Sequence, residues 1–110
     1  MPLPSACPIQ AIGLASSYTF PDNSFSASSS SLGNEASKGR LNGVGAWLPT
    51  TNDNASDYLQ IDLQYEFFIC AVATQGNPAG NHWTRAYKLL LSLNNTDWVT
   101  YQENNTDKVC

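Results

Sequence analysis

Charged residues are scarce in this sequence. Only 13% of its 110 residues are Asp, Glu, Lys or Arg, against about 25% in an ordinary soluble domain. The cations Lys38, Arg40, Arg85, Lys88 and Lys108 form no run, and the formal net charge is −4. A nucleic-acid partner needs a basic face, and attachment to an anionic membrane by charge alone needs a polybasic cluster, so the sequence argues against both. Histidine occurs once, at His82. No nucleophile-elbow motif accompanies it, so a nucleophile–base pair has little to be built from, and no catalysis is expected. Cys7, Cys70 and Cys110 are the only cysteines. None stands at Cys-x-x-Cys spacing, which removes the common zinc pattern, and a lone Asp22 is too little for calcium; no metal or cofactor is expected. No apolar run reaches transmembrane length. The start, "MPLPSACPIQ", has neither the basic nor the apolar segment of a secretory signal, so a signal is expected upstream in a longer protein or beyond an incomplete start. Helical periodicity is weak throughout, and no internal repeat is found.

Ser, Thr and Asn fill the polar positions instead, and 42% of residues are hydrophobic. That is a globular balance with one modest core, of a kind that suits an extracellular all-β domain. Three N-glycosylation sequons begin at Asn54, Asn94 and Asn104, all in turn-like segments, which favours a secreted glycoprotein. The clearest strand is 58–63, where Leu59, Ile61 and Leu63 alternate with Tyr58, Gln60 and Asp62. The continuous apolar run 67–74 reads as a strand buried on both faces. Further strands are expected at 86–92 and 98–102, with turns at 21–23, 76–81 and 93–97. The serine run 28–31 is too short for a flexible linker. The stretch "GAWLPTTND" at 45–53 is irregular, because Pro49 lacks a donor and holds Leu48 extended. Short strands separated by turns predict an antiparallel sandwich or barrel.

The order of motifs resembles the discoidin domain, also called the coagulation factor V/VIII type C domain. The resemblance runs through Cys7, Ile12-Gly13-Leu14, Asp22, Ser26-Ala27-Ser28-Ser29, Arg40-Leu41-Asn42, Ala46 to Pro49 and Asn52-Asp53. It continues through Leu59 to Leu63, Val72 to Gly76, Tyr87-Lys88 and the Ser92 to Trp98 hairpin. It implies an all-β jelly-roll β-sandwich, galactose-binding-domain-like, incomplete at the C-terminal strands. The expected domain is 7–110, lacking the last strands, with 1–6 an unstructured leader. The family's closing bridge makes Cys7 and Cys110 a candidate disulfide. Arg40, Trp47, Asp62 and Trp98 take structural roles, with Asp62 paired to Arg40 and Trp47 plugging its bend.

The same resemblance puts binding loops at one end of the sandwich, here 30–38 and 77–83. Candidate ligand contacts are Leu32, Asn34, Glu35 and Lys38 in the first, Asn52 and Asp53 beside it, and Asn77, Asn81, His82 and Trp83 in the second. These offer an aromatic platform with hydrogen-bonding groups, the chemistry of carbohydrate or protein recognition. Trp83 also stands where the family carries an aromatic at the hairpin base, which favours a packing role for it over a ligand contact. The expected function is an extracellular adhesion module of a multidomain protein, recognising a cell-surface or matrix glycan or protein. Phosphatidylserine binding is the first alternative, though Leu32 is the only apolar tip in its loop. An accessory domain of a secreted glycan-processing enzyme is the second.

Overall fold

The first four strands of this chain form where apolar and β-branched residues are flanked by Asn, Asp, Ser and Gly turns, and the last two form around an Asn-Asn turn. The computed structural model describes residues 11–51 and 53–110. Its strands are β1 (Phe25–Ala27), β2 (Leu59–Ile61), β3 (Leu90–Leu91), β4 (Val99–Thr100), β5 (Gln102–Glu103) and β6 (Thr106–Asp107). Two 3-10 turns, Asp22–Ser24 and Ala36–Gly39, complete the regular structure. The strands pair antiparallel as β1–β2, β3–β4 and β5–β6, three separate two-stranded sheets. The described residues are therefore all-β, but they do not form two sheets packed face to face.

The β1–β2 pair matters most for the core. Phe25 lies opposite Ile61 and Ala27 opposite Leu59. The pairing is prolonged by backbone bonds from Asp62 to Ser24 at 2.8 Å and from Ser28 to Tyr58 at 3.0 Å. Phe20, Phe25 and Ala36 are buried, and Leu14, Ala27, Trp47, Leu59, Ile61 and Leu63 pack against them. The alternation in 58–63 thus sends Leu59, Ile61 and Leu63 towards this cluster, while Tyr58 and Asp62 are exposed.

Arg40 holds the rim of the core, with a different partner from the one the sequence suggested. Its guanidinium donates to the carbonyls of Leu14 at 2.8 Å and Phe20 at 2.6 Å, and to Asp22 Oδ1 at 2.9 Å. Its Cζ also stands 4.6 Å from the centre of the Phe25 ring, a cation–π contact. Asp62 is not in this cluster. Its Oδ1 accepts the backbone N–H of Gln64 at 2.8 Å instead, turning the chain after β2. The Arg40–Asp62 pair is corrected to Arg40–Asp22, and the Asp22 carboxylate is occupied by that contact.

The second half departs further from expectation. No strand forms over 67–74, and all its side chains are exposed, Phe68 at 85%. An apolar run becomes a buried strand only if a neighbour pairs with it and another layer covers it. No strand among the described residues does so. The expected strands 86–92 and 98–102 shrink to β3 and β4, although Tyr101 N–H still bonds Leu89 at 2.8 Å. Trp98 is 42% exposed, so it plugs no core. Cys110 is a free, exposed thiol, whereas Cys70 is disulfide-bonded. The Cys7–Cys110 bridge is therefore corrected: backbone bonds of 3.2 and 2.8 Å pin Cys110 against Tyr87. Cys7 itself, with the leader 1–6, lies outside the described residues.

Candidate functional site

The candidate site is built by loops, two of which, 28–35 and 45–57, the β1–β2 sheet brings together. At the exit of β1, Ser28 and Ser29 turn their hydroxyls onto Asp57 Oδ1, at 2.6 and 2.9 Å. Ser28 Oγ also accepts the Tyr58 N–H at 2.8 Å, and Ser29 Oγ the Thr50 N–H at 3.0 Å. The Trp47 indole, half-buried, donates to the Ser29 carbonyl at 2.9 Å. The serine run is thus a clamp joining the 28–35 loop to the 45–57 loop. Two backbone bonds finish the seam, Ser31 to Leu48 at 2.8 Å and Leu48 to Asn34 at 3.1 Å.

The 28–35 loop is shaped by its own side chains. Asn34 N–H donates to the Ser31 carbonyl at 3.0 Å, and Gly33 has a φ of +81°. This is a type II turn, whose third position needs the left-handed conformation that glycine adopts freely. Glu35 Oε1 accepts the Gly33 N–H at 3.2 Å, and Asn34 Nδ2 donates to Ser31 Oγ at 3.1 Å and to the Leu32 carbonyl at 3.2 Å. Leu32 is left at the tip, 98% exposed.

The 76–83 loop closes on itself in a similar way. Asn77 N–H donates to the His82 carbonyl at 2.8 Å. Asn77 Oδ1 accepts the Ala79 N–H at 3.0 Å, and its Nδ2 meets His82 Nδ1 at 3.1 Å. His82 is exposed, and its Nε2 has no hydrogen-bond partner among the described residues. Trp83 is 66% exposed, which corrects its packing role at the hairpin base.

These loops enclose an open cleft of about 490 Å³, lined by Ser31, Leu48, Pro49, Thr50, Thr51, Asp53 and His82. It combines two apolar side chains with hydroxyl, carboxylate and imidazole groups. Of the residues expected to meet a ligand, Asp53 and His82 line it. Leu32 adjoins it through Ser31, and Asn34, Glu35 and Asn77 serve as internal braces of their loops. Lys38 sits in the second 3-10 turn and does not line the cleft, and Asn81 is exposed beside His82. Asn52 lies outside the described residues. Among the described residues, no group of three or more His, Cys, Asp or Glu stands close enough to hold a metal ion. Ser31, Leu48, Pro49, Thr50 and Thr51 were not expected as lining. The signal available for them was proximity in sequence to Asp53 and to the serine run.

Small paired strands, an Arg anchored at the core rim and a loop-built cleft describe an all-β domain with a candidate site between its loops. The chain belongs to the F5/8 type C domain family, whose model matches residues 24–109. It is 34% identical over 90 residues to the epithelial discoidin domain-containing receptor 1 of Pan troglodytes, covering 77% of this chain and 10% of the receptor. It is 32% identical over 100 residues to neuropilin-2 of Rattus norvegicus, covering 87% of this chain and 10% of neuropilin-2. The chain thus spans about a tenth of the length of these relatives.

Proposed function

We propose that the chain is a non-catalytic extracellular binding module that presents its 28–35, 45–57 and 76–83 loops to a carbohydrate or protein on a cell surface or in the matrix. The observation that carries this reading is the cleft, where Leu48 and Pro49 stand beside Ser31, Thr50, Thr51, Asp53 and His82. A few polar groups beside apolar surface orient small polar ligands or single side chains. Family membership adds support, and one similar protein is named a receptor. In this reading Asp53 and His82 make the central contacts. Asn81, Trp83 and Leu32 extend them, and Lys38 lies further out.

The architecture proposed behind the loops is the family's jelly-roll sandwich, one domain over 7–110 with 1–6 as leader and closing strands beyond the three small sheets. Its support is the exposed apolar run 67–74, since surface of that kind is what further strands cover.

A glycan array and a panel of immobilised matrix proteins test the function, probed with the secreted domain and with its Asp53→Ala and His82→Ala forms, each after enzymatic removal of N-glycans. Binding that weakens by about tenfold on either substitution, roughly 1.4 kcal/mol, is expected. Blank panels, or binding indifferent to both changes, would sink the reading.

A second reading rests on Leu32. Its full exposure beside the cleft suits insertion into a bilayer containing phosphatidylserine. Burying one Leu yields only about 1.5–3 kcal/mol, which is too little for stable attachment. Sedimentation with phosphatidylserine liposomes that depends on Leu32 would reverse the preference. The accessory-domain reading differs from both in requiring a catalytic domain in the same transcript.

A further inference from the structure

The sequons differ in what their asparagine side chains already do. Asn94 Nδ2 donates to Asp97 Oδ2 at 2.9 Å, while its Oδ1 accepts the N–H groups of Thr96 at 2.9 Å and Asp97 at 2.8 Å. Asn104 has a φ of +53° in the β5–β6 turn. Neither hairpin contributes a residue to the cleft lining. Asn54 is exposed, and its Oδ1 accepts the Ser56 N–H at 2.9 Å. Its carbonyl accepts the Asp57 N–H at 3.1 Å. The oxygen is thereby fixed, while Nδ2 has no hydrogen-bond partner among the described residues. Asn54 also follows Asp53 directly, so its Cα lies about 3.8 Å from that of a cleft-lining residue.

We propose that Asn54 carries an N-linked glycan that covers the three-loop cleft, so that occupancy of this one sequon sets access to the site. The proposal rests on the cleft being the binding site. The linkage joins Asn54 Nδ2 to C1 of an oligosaccharide supplied as a lipid-linked pyrophosphate by the secretory machinery. The amide nitrogen loses one proton, and the pyrophosphate leaves with the electrons of the broken C–O bond. An oligosaccharide of several rings exceeds the cleft in volume, so it shields Asp53 and His82 when it folds back over them.

The test needs no ligand, because His82 is the only histidine in the chain. The full chain is secreted from glycosylating cells and its sequons are mapped by mass spectrometry. His82 is then labelled with diethylpyrocarbonate, which modifies an accessible imidazole nitrogen. Wild type is compared with Ser56→Ala, which removes the sequon but keeps the backbone N–H that bonds Asn54. Wild type deglycosylated after folding controls for any misfolding of the variant. The expected result is an occupied Asn54 and labelling of His82 that accelerates several-fold in both unglycosylated forms. A vacant Asn54 in the secreted protein, or equal labelling rates in all forms, overturns the proposal. Accelerated labelling with panels that stay blank for the deglycosylated protein supports shielding and overturns the binding reading instead, so the two fail separately.

Discussion

Phe25 and Phe68 are the same residue type in one chain, yet they are 7% and 85% exposed. They stand for two regions. In 11–63 the pairing of β1 with β2 joins residues far apart in sequence, Phe25 with Ile61. The loops between them are folded back over the core by Arg40, Ser28, Ser29 and Trp47. In 64–110 the pairs are local hairpins, Leu90 with Thr100 and Gln102 with Asp107. A hairpin joins its own two strands but encloses nothing. Among the described residues the regions are tied by the Phe20–Phe67 rings with centroids 6.5 Å apart, Gln64 Nε2 to Ser24 Oγ at 3.1 Å, Gln60 Nε2 to Asn95 Oδ1 at 2.7 Å, and Asn42 N–H to Gln75 Oε1 at 2.8 Å. Burial here follows long-range pairing with polar anchors, and apolar content alone does not produce it.

The largest effect expected from this difference comes from truncating the two phenylalanines. Phe25→Ala should destabilise by about 3–5 kcal/mol, the usual cost of emptying an aromatic site in a core. Phe68→Ala should change stability by no more than about 0.5 kcal/mol, as at an exposed position. Urea melts followed by tryptophan fluorescence would measure both. Equal losses would mean that Phe68 is buried in solution and that the contrast between regions is false.

Arg40 gives the next step down. Replacing it by Ala removes charge-assisted bonds to two carbonyls and leaves them unsatisfied at the rim of the core. The expected loss is about 2–4 kcal/mol. Asp22 is 72% exposed, so Asp22→Ala should cost less than about 1 kcal/mol, because an ion pair open to water is weak. Asp62→Ala should cost about as little, through one turn bond. An Asp62→Ala loss as large as that of Arg40→Ala, and not additive with it, would restore the pairing that the sequence suggested.

What the sequence made legible follows the same division. The β2 alternation was readable because period-two patterning is local and one face meets a core. Arg40 was readable as the cation of an ion pair, but its partner was not: Asp62 reads as a buried carboxylate because its strand neighbours are apolar, and only the fold shows it exposed and Asp22 at the guanidinium. The run 67–74 misled because composition reports what a segment could bury and not whether anything covers it. In the site, Asp53 and His82 stood out as polar loop residues with distinctive chemistry. Ser31, Leu48, Pro49, Thr50 and Thr51 carry no such signature. They become lining only when the Ser31–Leu48 bond draws two loops together.

Trp47 gives a smaller effect, still within the first region. Trp47→Phe keeps most of the apolar contact with the core and loses the indole bond to Ser29. The expected cost is about 1 kcal/mol, with amide exchange accelerated at Ser31 and Leu48, whose seam that bond steadies. Unchanged exchange at those two amides would show that the serine clamp holds the loops without the indole.

The smallest effect lies in the second region, at Tyr101. Its hydroxyl donates to Glu103 Oε1 at 3.0 Å. That bond, and then the negative charge of the same carboxylate, raise the phenol above its ordinary value of 10.0. The folded state therefore holds the proton more tightly than the unfolded chain does. The stabilisation is fully present below the ordinary tyrosine range and is lost as pH rises through the higher folded value. Because Tyr101 is exposed, the consequence for stability is slight, and the titration itself is the better readout. Absorbance at the tyrosinate band should show one of the five tyrosines ionising earlier in Glu103→Gln than in wild type. Superimposable curves would mean that the Tyr101–Glu103 contact is not populated in solution. The β5–β6 hairpin would then be looser than its backbone pairing indicates, which would widen the contrast between the two regions.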